Sequence, residues 1–246
     1  MNHKSINTQN GKIAYQHEER GSAVGVVFLC GLASDMNGSK ATYLCELCKK
    51  EGISYTRFDY FGHGQSEGGF EDGSITIWKQ NTIDIVKNVS GGTPQILVGS
   101  SLGGWLAILA ALELKSLVNG IVGIAAAPDF TNDMQNALDA SSVKALNSIG
   151  YLKLDRYGQQ IKITKKLLED GQKNLVLNQE AIDIDCKAVF LHGMSDNIVH
   201  YKKSIECAKK IASKDVEVTL LKDADHNMKD EKSLKVLSNS ILTMVK

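Results

Sequence analysis

Two serines lie between two apolar runs in the segment QILVGSSLGGWLAILAAL, residues 95–112. Only Ser101 has glycine both two residues before it and two residues after it, whereas Ser100 has Val98 and Leu102 there. This G-x-S-x-G pattern is typical of a nucleophilic serine on a strained turn between a strand and a helix, where flanking side chains would collide. We therefore expect Ser101 to be a nucleophile. The alternative interpretation is a purely structural turn.

A serine hydroxyl is a poor nucleophile at neutral pH and needs a positioned base. The chain has six histidines: His3, His17, His63, His192, His200 and His226. Only His226 lies in a polar segment, KDADHNMKD, between the last predicted strand and the last predicted helix. Catalytic groups of open α/β sheets collect at the carboxyl edge of the strands, and the chain order Ser, acid, His places the base in the last loop. We expect His226 to be the general base.

The acid that orients this base should follow a strand between Ser101 and His226. Asp196 comes just after the predicted strand 187–192 in AVFLHGMSDNIV, and we expect it to be the third catalytic residue. Its rival, Asp225, adjoins His226, and neighbouring side chains in an extended segment point apart. We expect Asp225 to cap the turn instead.

Backbone N–H groups should bind the oxyanion that forms when a serine attacks a carbonyl. One donor is the residue after the nucleophile, Leu102, and the other comes from the loop after an earlier strand. In VVFLCGLASDM that donor is Leu32. Many such enzymes have histidine where Cys30 stands, but its replacement does not remove a backbone donor.

Short apolar runs alternate with longer amphipathic stretches, which predicts βαβ units and a mostly parallel sheet flanked by helices. The predicted strands are residues 12–17, 24–30, 53–58, 95–99, 120–125, 187–192 and 216–221. The predicted helices are residues 38–51, 77–89, 102–114, 201–213 and 229–244. A chain of 246 residues can form one such α/β domain.

One interval is too long for a βα unit, because more than fifty residues separate Pro128 from Asp185 where about thirty suffice. Its sequence pattern predicts a helix at 131–149, a hairpin around Gly158 and a helix at 164–170. We expect residues 128–184 to be a lid inserted into a core formed by 1–127 and 185–246. Its apolar residues either line an acyl pocket or pack the lid onto the core: Met134, Leu138, Leu146, Ile149, Leu152, Leu154, Leu167 and Leu168.

The composition narrows the classes of partner. Lys plus Arg and Asp plus Glu both number 28, so no net field attracts nucleic acid or an anionic membrane surface. The longest apolar runs fall short of the roughly 20 residues that span a bilayer. The N-terminus lacks the features of a signal or transit peptide, which favours a cytoplasmic location. We expect a small-molecule substrate, no nucleic acid and no integral membrane segment.

The chain has five cysteines, an odd number that fits reduced thiols. Cys45 and Cys48 form a C-x-x-C on a predicted helix, but no second pair completes four zinc ligands. We expect both to be core residues, and we expect neither a metal nor an organic cofactor.

Five segments in order along the chain resemble the α/β-hydrolase superfamily: GLASDMNGSKA, RFDYFGHGQSEG, QILVGSSLGGWL, LHGMSDNIV and the DH of Asp225 and His226. SDMNGSKA and GSSLGGW resemble more closely the mitochondrial palmitoyl-protein thioesterase family, also described as acyl-glucuronide esterases. The resemblance implies an α/β-hydrolase fold and hydrolysis of carboxylic esters or acyl-thioesters, S-acylated proteins included. Two departures are the absence of a mitochondrial leader, which suggests a bacterial cytoplasmic relative unless a transit peptide was removed, and His200 in place of the usual proline.

The expected function is therefore a serine hydrolase that works through an acyl-enzyme, on the Ser101, His226 and Asp196 triad. The same triad also serves carbon–carbon bond hydrolases and peroxide-generating enzymes. A catalytically silent binding module of the same fold is the alternative from another class, since fold does not dictate function.

Overall fold

A mostly parallel eight-stranded sheet forms the centre of the protein in the computed structural model, which describes residues 3–156 and 159–245. The strand order is β1-β2-β4-β3-β5-β6-β9-β10, with only the β1–β2 and β2–β4 pairs antiparallel. These strands are β1 (Lys4–Thr8), β2 (Gly11–Glu18), β3 (Gly25–Leu29), β4 (Tyr55–Phe58), β5 (Gln95–Ser100), β6 (Val118–Ile124), β9 (Lys187–Gly193) and β10 (Val216–Leu221). The predicted α/β architecture is confirmed.

The central strands β3, β4 and β5 are buried along their whole length. Strands covered on both faces carry unbroken apolar runs, and such runs made β3 and β5 visible in the sequence. The edge strand β1 was not predicted. Its sequence KSINT is largely exposed and pairs only with β2, so it carries no apolar signal.

Five helices flank this sheet outside the interval between β6 and β9: α1 (Ser39–Glu51), α2 (Ile75–Val89), α3 (Leu102–Glu113), α7 (Lys202–Lys210) and α8 (Glu231–Val245). Helix α2 begins two residues before its predicted start, because the Ser74 hydroxyl accepts a hydrogen bond from the Ile77 N–H and caps it. Helix α3, which directly follows Ser101, is apolar on all sides and buried. Cys45 and Cys48 of α1 are buried free thiols in the core, as predicted.

The interval between β6 and β9 contains α4 (Phe130–Asn136), α5 (Ala140–Ile149), the antiparallel strands β7 (Tyr151–Arg156) and β8 (Gln159–Thr164), and α6 (Lys165–Gln172). The prediction of one helix over 131–149 was wrong. The chain leaves the helix after Asn136, and Asp139 starts a new one by accepting a hydrogen bond from the Ser142 N–H at 2.7 Å. Gly158, the predicted centre of the hairpin, lies outside the described residues.

Hydrogen bonds close this interval on itself and tie it to helix α3. The buried Asp129 carboxylate accepts the N–H groups of Val176 and Leu177 at 2.9 and 2.8 Å, which closes the interval on itself. Trp105 of α3 donates to the Asn174 carbonyl at 3.1 Å. The limits 128 and 184 stay a prediction. In the part of the chain that the structure describes, no helix is long and apolar enough to cross a membrane.

Candidate active site

Ser101 sits on a sharp turn between β5 and α3, with φ 54° and ψ −115°. This backbone conformation is rare for a residue with a side chain and costs of the order of 1–3 kcal/mol. A Cβ on Gly99 would lie 2.1 Å from the Gly103 oxygen, and a Cβ on Gly103 would lie 2.2 Å from the Leu29 oxygen. Both glycines are therefore required sterically. The Ser101 N–H donates to the Ile124 carbonyl at 2.9 Å, which anchors the turn to β6.

His226 and Asp196 complete a hydrogen-bonded chain with Ser101. The Ser101 Oγ lies 3.1 Å from His226 Nε2, and His226 Nδ1 lies 2.7 Å from Asp196 Oδ2. The other carboxylate oxygen, Oδ1, accepts the N–H groups of Ile198 and Val199 at 2.8 and 2.9 Å. A carboxylate on Nδ1 holds the proton there, so Nε2 is free to accept the serine proton. The structure thus brings together the three residues that the sequence singled out.

A second histidine also contacts the Asp196 carboxylate. His192 Nε2 lies 3.1 Å from Asp196 Oδ2, and its Nδ1 lies 2.7 Å from the Ser204 hydroxyl. Burial works to raise the pKa of Asp196, but the hydrogen bonds from His192, His226 and two backbone N–H groups outweigh it and hold that pKa well below its usual range. Asp196 is therefore ionised at neutral pH. Sequence reasoning missed the His192 contact, although His192 stands four residues before the acid.

The two predicted oxyanion donors flank Ser101. Leu102 is the first residue of α3, where backbone N–H groups have no intrahelical acceptor and the helix dipole favours negative charge. Leu32 lies in a turn that the Ser34 N–H closes on the Gly31 carbonyl at 3.1 Å. A Cβ added to Gly31 would lie 3.6 Å from the Ser101 Cβ, so this turn runs beside the nucleophile.

A cavity of about 550 Å³ opens on one side of Ser101. Its lining joins the core to the inserted interval: Leu32, Ser101, Leu102, Ala127, Phe130, Asp133, Met134, Leu154, Ile198, Val199, His200, Lys202, Lys203 and Glu206. Among the apolar residues that the sequence offered for an acyl pocket, Met134 and Leu154 line it. Leu146, Leu167 and Leu168 are buried in the core instead, and Ile149 is 58% exposed. The volume lies within the range of small-molecule sites.

A smaller, more polar cavity of about 160 Å³ adjoins Ser101 and His226 on another side. Lys40 lines it and donates from Nζ to the Asn227 carbonyl at 2.6 Å, which ties α1 to the residue after His226. Burial lowers the pKa of Lys40 to about 8. Sequence reasoning missed Lys40, because its partner lies 187 residues away along the chain.

Asp225, the rival acid, caps the turn as predicted. Its Oδ1 accepts the N–H groups of Asn227 and Met228 at 3.0 and 3.1 Å. Within the described residues, no group of three or more His, Cys, Asp or Glu side chains is arranged to hold a metal ion.

Comparisons with known proteins identify the family of this chain. A family model described as "Serine aminopeptidase, S33" matches residues 22–174. The mitochondrial palmitoyl-protein thioesterase ABHD10 of Mus musculus is 36% identical over 221 residues, which are 89% of this chain and 74% of that protein. The chain therefore belongs to the α/β-hydrolase family that includes this thioesterase. The Bos taurus thioesterase of the same name is 35% identical over 225 residues, 90% of this hydrolase and 73% of the relative.

The solved structure of mouse alpha/beta hydrolase domain-containing protein 10 superposes with a TM-score of 0.92 at 33% sequence identity, covering 100% of this hydrolase and 98% of that chain. The resemblance inferred from the sequence motifs is therefore confirmed. The protein is a hydrolase of the α/β-hydrolase family, close to thioesterase-named relatives.

Proposed function

We propose that this hydrolase cleaves carboxylic esters or acyl-thioesters through an acyl-enzyme on Ser101. The observation that carries the proposal is the hydrogen-bonded chain from the Ser101 Oγ through His226 to the ionised Asp196. Such a chain activates a serine hydroxyl at neutral pH, where it is otherwise unreactive.

His226 accepts the Ser101 proton as Oγ attacks the substrate carbonyl carbon, and a tetrahedral intermediate forms. The N–H groups of Leu32 and Leu102 stabilise the negative oxygen, while Asp196 stabilises the imidazolium. His226 then gives its proton to the leaving alcohol or thiol as the carbon–oxygen or carbon–sulfur bond breaks. Water, deprotonated by the same histidine, hydrolyses the acyl-enzyme and restores the Ser101 hydroxyl.

The acyl group of the substrate occupies the cavity of about 550 Å³, because Phe130, Met134 and Leu154 give it an apolar lining next to Ser101. The relatives are named palmitoyl-protein thioesterases, which favours a fatty acyl group on sulfur and includes S-acylated proteins among the substrates. Residues 128–184 act as the lid over this cavity. The cytoplasmic location stays a prediction.

Two adjacent serines provide the decisive experiment. Hydrolysis of p-nitrophenyl esters and acyl-thioesters with acyl chains of two to sixteen carbons is measured for wild type, Ser101→Ala and Ser100→Ala. We expect Ser101→Ala to lower kcat by about five to six orders of magnitude for every substrate. Ser100→Ala, which removes the neighbouring buried hydroxyl, should stay within a few-fold of wild type.

The chain-length optimum then separates a short-chain carboxylesterase from a long-chain thioesterase. Turnover of Ser101→Ala near the wild-type rate would contradict the proposed nucleophile. A folded wild type that turns over no member of the panel would favour the binding-module or carbon–carbon hydrolase alternatives.

A further inference from the structure

His63 is a buried histidine whose ring nitrogen contacts the turn that carries the Leu32 oxyanion donor. Its Nε2 lies 3.2 Å from the Ala33 nitrogen, and its Nδ1 lies 3.3 Å from the Phe61 carbonyl oxygen. The side chain is 4% exposed. The segment after β4 therefore reaches across to the segment after β3 through one imidazole.

The two contacts fix the tautomer of His63. A backbone N–H can only donate, so Nε2 must carry a lone pair where it meets Ala33, and the single ring proton must sit on Nδ1. Nδ1 then donates to the Phe61 carbonyl. A protonated ring would turn an N–H toward the Ala33 N–H and break this contact, so the arrangement needs a neutral imidazole.

The surroundings keep this imidazole neutral. The rings of Tyr60, Phe70 and Trp78 lie around it, with centroids 5.5, 5.3 and 5.2 Å away. Burial lowers the pKa of His63 to about 4, against weaker opposing effects of the Phe61 carbonyl and Asp35. The aromatic cage thus makes His63 a hydrogen-bond acceptor across the physiological pH range.

His63 Nε2 accepts its hydrogen bond from a residue in an unfavourable backbone conformation, Ala33. Ala33 has φ 55°, in the left-handed region that a residue with a side chain seldom adopts. Its N–H belongs to the peptide unit that joins Leu32 to Ala33. Asp59 and Tyr60 bind the two ends of the same segment, at the Met36 N–H and the Cys30 carbonyl, and His63 binds its centre at the Ala33 N–H.

We propose that His63 is a positioning residue for the oxyanion site: its neutral Nε2 holds the Ala33 N–H and fixes the Leu32–Ala33 peptide unit. This restrains Leu32 from its carbonyl side and so keeps the N–H of the preceding Gly31–Leu32 peptide unit directed at the reacting carbonyl oxygen. The inference rests on the proposed function, since it assigns His63 to that reaction. The role assigned to His63 involves neither contact with the substrate nor proton transfer.

The test compares His63→Leu, which cannot accept a hydrogen bond, with His63→Gln, whose side-chain oxygen can accept from Ala33. Removing a whole oxyanion donor lowers kcat by about a hundredfold to a thousandfold, so we expect His63→Leu to lower kcat by about tenfold to a hundredfold with little change in KM. His63→Gln should recover most of the rate. His17→Leu, at a histidine of β2 bonded to Thr56 of β4, is the matched control and should behave as wild type.

An inhibitor pair separates positioning from a general loss of structure. A trifluoromethyl ketone forms a tetrahedral oxyanion with a catalytic serine, whereas the amide of the same chain length binds without doing so. His63→Leu should weaken the ketone by the same factor as kcat and leave the amide unchanged. Amide hydrogen exchange at Ala33 should accelerate in His63→Leu and not in His63→Gln, and this readout does not depend on turnover.

A second variant covers the outcome in which His63→Leu folds poorly. Ala33→Gly removes the steric cost of the left-handed conformation, so Ala33→Gly added to His63→Leu should recover part of the lost kcat. The proposal is wrong if His63→Leu keeps kcat within twofold of wild type, or if the ketone and the amide weaken equally. Wild-type turnover that survives in Ser101→Ala would instead overturn the proposed function.

Discussion

The core loops around Ser101 hold their functional groups with buried hydrogen bonds, whereas the interval 128–184 meets the same site mainly with apolar side chains. The Asp196 carboxylate, for example, accepts hydrogen bonds from two histidines and two backbone N–H groups. From the interval, Phe130, Met134 and Leu154 line the larger cavity. We therefore expect substitutions in the core loops to alter the rate for every substrate, and substitutions in the interval to alter the preference between substrates.

Among the changes that test this difference between core and interval, Asp196→Asn should have the largest effect, because it keeps the shape of the acid but removes its charge. The amide no longer selects the Nδ1 proton on His226, and loss of the wild-type tautomer costs about 10⁴-fold in kcat in serine hydrolases. We expect an equal loss for two-carbon and sixteen-carbon esters in steady-state assays. A loss of kcat confined to the long-chain esters would contradict the assignment of the rate to the core and of substrate preference to the interval.

The next effect concerns pH and the core alone. In the folded protein, burial lowers the pKa of His63 from its ordinary value of 6.5 to about 4, so the unfolded chain binds more protons between these values. The stability that neutral His63 provides is complete above pH 6.5 and is lost as pH falls toward 4. We therefore expect the free energy of unfolding, measured in urea, to fall between pH 7 and pH 4.5 by more in wild type than in His63→Gln. The difference should be on the order of 2 kcal/mol.

Equal losses in the two proteins would mean that His63 is not held neutral by its surroundings. The other acidic groups are common to both proteins and cancel in this comparison.

A smaller and more selective effect should follow Leu154→Trp. The larger ring narrows the cavity of about 550 Å³, so we expect the kcat/KM of a sixteen-carbon ester to fall by about tenfold and that of a two-carbon ester to stay within twofold. Ile149→Trp is the matched control, since Ile149 belongs to the same interval but is 58% exposed. Equal effects of the two substitutions on chain-length preference would contradict the assignment of the acyl site.

The smallest effect concerns the ion pair that joins the interval to the core in the lining of the cavity. Lys203 Nζ lies 2.9 Å from Asp133 Oδ2, and the Asp133 side chain is 54% exposed. Solvent screens such a pair, so a double-mutant cycle of Lys203→Met and Asp133→Asn by urea unfolding should give a coupling of about 0.2–1 kcal/mol. A coupling of several kcal/mol would mean that the interval is locked to the core far more tightly than its surface contacts indicate.

The sequence predicted the sheet and the relative placement of Ser101, Asp196 and His226, because parallel strands deliver their following loops to one edge. It could not predict contacts between side chains and distant backbone, such as Lys40 with Asn227 or His63 with Ala33. These depend on the packing of whole elements, not on spacing or periodicity. The break between α4 and α5 was missed because Asp139 caps the second helix within one continuous helical pattern.

Peptide mapping after reaction with a fluorophosphonate identifies the nucleophile, since this reagent modifies an activated serine. We expect a single adduct on Ser101, present in wild type and Ser100→Ala and absent from Ser101→Ala. An adduct on Ser100, or a folded Ser101→Ala protein that labels as wild type does, would contradict this assignment.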